Sequence, residues 1–440
     1  MKQRSTVAVF VAVMLLSAFS VCAAGADEET DESSPSSTQS EDDPHKASWP
    51  DKIGPFELRS PDGRHSLRFG LAVQIQLRGD SKDMGEGADR DNVFYEELRR
   101  MRSSLNGSFA DGIVDFYLQI NTVPNSVELM DWSIGYNPHA YAQVRFGQMK
   151  IPFTYYRTQT FKTLTLPDWA ITTRYFGAER QFGFSVQSDL KKARPFDYTI
   201  GVFTGVNARS SHALGMALMY GETVVNRSSL TDPSPRTEFD PELVMRFGYN
   251  HNRIDVGRDT DVKRGPAAFH IGVSATYDPN AQQDIDFAAR LAPEFLFKAR
   301  GFSMSLAYYL GWGKRFTPDA SRELAMTGGH VQMSYLMSDH YEVAVRYAAV
   351  RNRRNFRDDA RQRADALIEA AETPEEAASL TDKYKNVGKV VQEHEASFGL
   401  NMYLIGEYLK WQNDISLLIH DLTGPNKEDI RYRSQLLLAF

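Results

Sequence analysis

From Ser66 to the end of the chain, apolar and polar residues alternate with a period of two. In LRFGLAVQIQLR, Leu67, Phe69, Leu71, Val73, Ile75 and Leu77 share one face of a strand; Arg68, Gly70, Ala72, Gln74, Gln76 and Arg78 share the other. The pattern returns in LRRMRSSLNGSF, VDFYLQIN, MDWSIGYN, AQVRFGQM, FGFSVQS, YTIGVF, LVMRFGY and FHIGVSATY. It continues in DFAARLAPEFLF, FSMSLAYYL, HVQMSYLM, YEVAVRYAAV, ASFGLNMYL, LKWQNDISLLI and YRSQLLLAF. That gives about sixteen candidate strands, each near the ~9–11 residues a tilted membrane-spanning strand needs. A soluble sandwich also alternates. Against it stand an apolar face in nearly every strand, opposite faces rich in Arg, Gln, Ser and Gly, and a last strand ending on Phe440. The expected fold is all-β: a transmembrane antiparallel β-barrel of about 16 strands.

Connections alternate in length, as in outer-membrane barrels with short periplasmic turns and long outer loops. Short ones fall near 110–112, 137–139, 191–195, 298–301, 338–339 and 406–407. Long ones fall near 79–94, 152–181, 205–240, 311–329, 352–394 and 420–430. Connection 250–267 departs from this, being long where a short turn is expected. Within 352–394 the period changes: Ala364, Leu367, Ile368 and Ala371 have helical spacing. Thr373, Pro374 and Glu376 then form a helix start with a Thr cap. Residues 357–386 are therefore expected to form a helical hairpin on an outer loop, serving as a lid, a partner surface or ordered surface structure. HALGMALMYG (212–221) is treated as loop, with a short helix or strand as the alternatives.

The termini bound the compartment. Residues 1–26 have the form of a signal peptide, with Lys2 and Arg4, an apolar run and Ala24 and Ala26 before the cleavage point. Cleavage removes Cys22, the only cysteine, so the mature chain holds no disulfide. The formal charge of −7 then becomes −9, from 48 basic and 57 acidic residues. Eight of those acids lie in 27–43, inside an acidic, Ser-rich periplasmic tail spanning 27–60. The barrel is assigned to 61–440. With that acidic charge and no long basic run, nucleic acid is excluded as a partner.

Several local patterns now resemble one family. LRRMRSSLNG is similar to the early arginine-rich strand of the phosphate-selective porin O and P family of Gram-negative outer membranes. VRFGQMKIPF resembles its strand entering a long loop, and ERQFG the strand after that loop. EVAVRYAAV, FGLNMYLIGEYLKWQNDIS and RSQLLLAF resemble its late strands. The resemblance implies a 16-stranded barrel in the cell outer membrane, a homotrimer surrounded by outer-membrane lipid, with loops folded into a lumen that passes small anions. It also implies that Phe440 serves as a signal to the outer-membrane assembly machinery.

The alternation itself nominates the lumen residues. The inward basic candidates are Arg68, Arg78, Arg100, Arg102, Arg145, Arg246, Arg290, Arg346, Lys410 and Arg433. The inward acids are Asp115, Asp131, Glu242, Glu294, Glu342 and Asp414, leaving an excess of four cations. Such an excess favours anions, and the planar fork of Arg suits phosphate and carboxylate. Cross-wall pairing of these charges is the competing expectation. Lys150 stands where loop 152–181 begins, and Arg157, Lys162, Arg174 and Arg180 are its constriction candidates if, as the resemblance implies, it folds inward. Arg99 falls on the apolar face, which places it at the outer rim or in a trimer contact.

No HExxH, GxSxG or P-loop motif is present, and His270 and His330 face inward rather than toward lipid. No catalytic residue, metal or cofactor is expected. The expected function is a porin for passive diffusion of small hydrophilic solutes, anion-preferring, with phosphate or polyphosphate as the class implied by resemblance. A general or sugar-type porin is one alternative, left open by the inward aromatics Tyr117, Tyr141, Phe203, Tyr309 and Tyr403. A structural or adhesive barrel with a closed lumen is the other.

Overall fold

The computed structural model describes residues 56–85, 88–124, 126–177, 180–189, 194–204, 215–220, 241–279, 287–316 and 321–440. The signal peptide and nearly all of the acidic tail lie outside these residues. The strands are β1 (Phe56–Arg59), β2 (Ser66–Lys82), β3 (Asp91–Phe109), β4 (Val114–Val123), β5 (Ser126–His139) and β6 (Ala142–Lys150). Next come β7 (Arg180–Gln187), β8 (Phe196–Phe203), β9 (Glu242–His251), β10 (Ala268–Tyr277), β11 (Ala289–Ala299) and β12 (Phe302–Lys314). The last are β13 (Arg322–Leu336), β14 (Tyr341–Asn352), β15 (Val390–Ile405), β16 (Leu409–Leu422) and β17 (Lys427–Ala439).

Strands β2–β17 each pair antiparallel with both sequence neighbours, and β17 returns to β2 with Leu436 opposite Ile75. The result is a closed barrel of 16 strands, as the alternation predicts. Closure leaves no long edge unpaired, the condition for β-structure in lipid. In β9 the inward Glu242, Val244, Arg246 and Asn250 are buried, while Leu243, Met245, Phe247 and Tyr249 are exposed on the outside. Among the described residues no helix is long and apolar enough to cross a membrane.

The short strand β1 was expected to be tail. It pairs with β2 from Phe56 opposite Phe69 to Arg59 opposite Ser66, just below the point where Phe440 stops pairing with Leu71. It thus continues the β2 edge that β17 leaves open, with Phe56 against the Phe440 ring at 6.2 Å. Three of the long connections also prove shorter than expected. The strands run further, to 17 residues in β2 and 19 in β3.

Among the described residues five α-helices occupy the connections: α1 (Tyr155–Thr158), α2 (Ile171–Phe176), α3 (Gly215–Tyr220), α4 (Arg354–Glu369) and α5 (Pro374–Tyr384). Within 212–221 the described residues 215–220 form helix α3 rather than loop, the helical alternative for this segment, with Met216, Met219 and Tyr220 buried. The helical hairpin on the 352–394 connection is observed. Thr373 caps α5 by accepting from the Glu376 N–H at 3.2 Å. Its buried face differs from the expected one: Phe356, Ala360 and Ala364 pack inward, while Leu367 is exposed. These three join Phe153, Tyr175 and Phe176 of the 151–177 connection, Met216 and Tyr220 of α3, and the inward Phe203, Val244, Ala307, Tyr309 and Val350 of the wall. The apolar core therefore lies inside the barrel, against β8–β14. It leaves polar space along the other wall.

Candidate functional site

That polar space is shaped by residues 152–177, which cross the lumen and are held from many strands. The Thr154 N–H donates to Ser274 of β10, and the Tyr155 N–H to Glu294 of β11, at 3.2 and 2.9 Å. Arg346 of β14 donates to the Asp168 carbonyl at 2.8 Å. Further along, Lys410 and Gln412 of β16 donate to the Leu164 carbonyl, and Asn401 of β15 to the Thr165 carbonyl. Together these wall donors pair the backbone carbonyls that the segment carries into the lumen, the Leu164 and Thr165 carbonyls each receiving two. This fixes the segment as a constriction, which the resemblance implies and alternation cannot show.

A second segment, 252–267, was the exceptional long connection at the opposite end. It also folds into the lumen. Lys298 of β11 donates to the carbonyls of Asp255, Arg258 and Thr260 at 2.9, 2.8 and 3.2 Å. Asp259 accepts from the Thr165 N–H, and its own N–H donates to the Thr163 carbonyl. The two connections therefore grip each other across the lumen. Burial pushes the Asp259 carboxyl up, against hydrogen bonds from Gln332 and Thr165 that pull it down.

Two cavities lined by described residues flank this junction, one on each side. The one toward the long loops has a volume of 660 Å³ and is lined by ten Arg or Lys residues and five carboxylates. The one toward the short turns has a volume of 980 Å³, with seven cations and two carboxylates. Arg102, Lys150 and Arg180 line both and form the neck between them.

The neck cations differ in what they touch. Arg180 forms a two-pronged pair with Asp131 at 2.9 and 3.0 Å. Lys150 donates to the Gln159 and Arg157 carbonyls at 2.8 and 3.3 Å and lies 5.1 Å from the Trp169 ring. Arg102 lies over Phe161 at 4.8 Å, has no carboxylate at ion-pair distance among the described residues, and buries its Nε without a partner. It is the neck cation with most charge left for a solute.

Arg99 corrects the expectation that it faces lipid. Gln74 pairs with Arg100 and Ile75 with Leu98, so Arg99 is the extra residue of a β-bulge. The bulge turns it toward the lumen beside Arg100. Both bind Asp168, at 3.1 and 3.2 Å. Burial pushes the Asp168 carboxyl up, but Arg100 and Arg99 hold it well below the usual carboxylate range.

The other candidates divide. Arg78 pairs with Asp80, Arg145 with Asp115, Arg290 with Glu242, Arg346 with Glu395 and Arg433 with Asp414. Four of these pairs join different strands and Arg78–Asp80 lies within β2, so pairing with wall carboxylates applies to much of the predicted inward set. Arg68 is exposed and pairs with Glu57 of β1, away from both cavities. Lys410 is buried as a clamp on the constriction, and Lys162, whose ammonium burial and Arg102 push down, lines neither cavity. Arg157 and Arg174 line the cavity toward the long loops. Arg246 is buried, lies 4.0 Å from the Tyr155 ring, and lines the other cavity without a carboxylate at ion-pair distance among the described residues. Of the five inward aromatics only Tyr117 lines one of these two cavities: Phe203 and Tyr309 are in the apolar core, Tyr403 bonds Glu342, and Tyr141 is half exposed, so the five form no continuous slide. Arg253, Arg258 and Lys263 were not selected from sequence. Their density in the anomalously long 250–267 connection was the readable signal.

No protein-family model matches the chain, and no curated protein sequence matches it. Solved structures do. The chain is similar to the outer membrane channel DcaP of Acinetobacter baumannii, with 12% identity, a TM-score of 0.53, and coverage of 87% of this chain and 99% of that one. It is also similar to OprB of Pseudomonas putida, with 10% identity, a TM-score of 0.51, and coverage of 85% and 94%. The likeness is one of fold: this chain has the fold of the porin-type outer-membrane barrels, and the comparison does not reach the narrower phosphate-selective family.

Proposed function

We propose that the protein is an outer-membrane porin that passes small hydrophilic anions by passive diffusion. The observation that carries this reading is the neck, where Arg102, Lys150 and Arg180 are shared by two cavities in which cations outnumber carboxylates. A solute crossing between the cavities passes those three side chains. An anion is attracted there and a cation repelled, with Arg102 supplying donors that no protein carboxylate occupies. Phosphate and polyphosphate fit the planar donor forks of arginine, and they are the class suggested by the arginine-rich LRRMRSSLNG strand. The homotrimer, the cleaved signal and the role of Phe440 in assembly belong to the same proposal.

The test is conductance of the purified protein in planar bilayers, with reversal potentials read in a KCl gradient. An anion-selective reversal potential is expected, with phosphate or polyphosphate reducing chloride current at millimolar concentration. Cation selectivity would sink the reading. Absence of conductance would favour a closed structural barrel, an outcome that the packed core against β8–β14 makes worth separating.

A further inference from the structure

The sequence RNRRNFRDD, where β14 passes into α4, lines neither of the two lumen cavities. Arg351, Arg353, Arg354 and Arg357 line a separate cavity of 490 Å³, with Asp358 as its single carboxylate. Asp358 is already engaged with Arg354 at 3.4 Å. Helix α4 starts here with Arg353 as N-cap, no side-chain cap and no acid in its first turn. Its 16 residues aim the positive end of the helix dipole into a cluster of like charge. Arg357 is only 8% exposed, lines this cavity, and buries its Nε without a hydrogen-bond partner. The uncapped helix start and the excess of arginines favour an anion in this cavity, and the buried, unpartnered Arg357 side chain on its wall adds to them.

Position identifies its source. Arg351 pairs with Gln392 on the outward face of β14 and β15. Tyr347 lies four residues lower on that face, where its hydroxyl bonds His394 at 2.8 Å. Outward aromatics of this kind mark the membrane interface. Arg351 is about 13 Å further along the strand, at the level of lipid headgroups on the long-loop side. We propose that this cavity binds a phosphomonoester, carried by a phosphorylated glycolipid of the surrounding leaflet.

The experiment uses the full chain in phosphate-free detergent. It measures binding of a diphosphorylated glucosamine lipid, its dephosphorylated form and inorganic phosphate, with native mass spectrometry counting retained lipid. The diphosphorylated lipid should bind and the dephosphorylated form should not. Affinity should fall about fivefold for each arginine removed in R353Q/R354Q and in R357Q. Bilayer conductance should be unchanged, and heat-modifiable migration on gels verifies that the variants fold. Wild-type lipid binding by both variants would overturn the site. Full displacement of the lipid by millimolar inorganic phosphate would overturn the lipid as its source.

Discussion

Arg99, Arg100 and Asp168 show how one extra residue changes the charge of a pore. Regular alternation would send Arg99 to lipid, where a cation near mid-membrane costs about 2–4 kcal/mol. The bulge opposite Gln74 and Ile75 instead gives two neighbouring arginines to one loop carboxylate. An inserted residue leaves no mark in composition, so Arg99 was illegible, whereas Arg100 and Arg102 followed the period-two rule. Arg102 and Arg100 should therefore behave differently when removed. Replacing Arg102 by Ala removes an unpaired cation, worth about 1 kcal/mol of attraction at 4 Å in a water-filled site, or roughly fivefold in the anion/cation permeability ratio. Replacing Arg100 by Ala leaves Asp168 with Arg99 and should lower the ratio less; reversal potentials compare the two, and equal effects would contradict the pairing. Asp168→Asn should raise anion preference. The carboxyl is held low in the folded protein, so its charge and its bracing contribution are present above the ordinary Asp value of about 3.9 and are lost only as pH falls through the lower folded value. The difference between wild type and Asp168→Asn should accordingly persist from pH 7 down to about pH 4. Its disappearance near pH 5 would count against the assignment.

The connecting elements act as a pair of brackets and a cover. Lys298 satisfies three carbonyls of 252–267, so Lys298→Met leaves them without their donor. The segment should loosen and take with it the contact between Asp259 and Thr165. The expected readout is a higher, noisier single-channel conductance with an intact barrel; wild-type current traces would show that the second bracket is dispensable. The helical insert packs into the core through Phe356, Ala360, Ala364, Tyr384 and Val387, of which Phe356 is fully buried. Phe356→Ala should cost about 3–5 kcal/mol locally and make residues 353–389 sensitive to limited proteolysis, while the heat-resistant barrel persists. The hairpin was legible because Thr373, Pro374 and Glu376 are local signals. Its packed face was not, because Phe356 lies next to the strand end and was outside the helical pattern read from Ala364 onward. The inward folding of 252–267 was equally hidden, since it depends on Lys298, whose sequence distance carries no periodic signal.

At the scale of the whole molecule the barrel was legible almost throughout, because lipid on one side and polar contents on the other impose the same two-residue rule on every wall strand. The short β1 escaped because four residues are too few to show a period. The division of the lumen escaped for a different reason: which half fills with apolar side chains is decided by loops that meet only after closure. This arrangement has a consequence for biogenesis. The constriction is encoded at 152–177, yet the groups that hold it include Arg346, Asn401, Lys410 and Gln412, made long afterward. Lys410 and Leu164 are 246 positions apart. Contacts at such separation form late, once loop-closure entropy has been met by the strands between them. A nascent or truncated barrel would therefore be wide and indiscriminate, and selectivity would arrive as the last property of the finished protein. On that reading the channel would be narrowed and sealed in one step, because the residues that hold the constriction lie on the same final strands that close the wall.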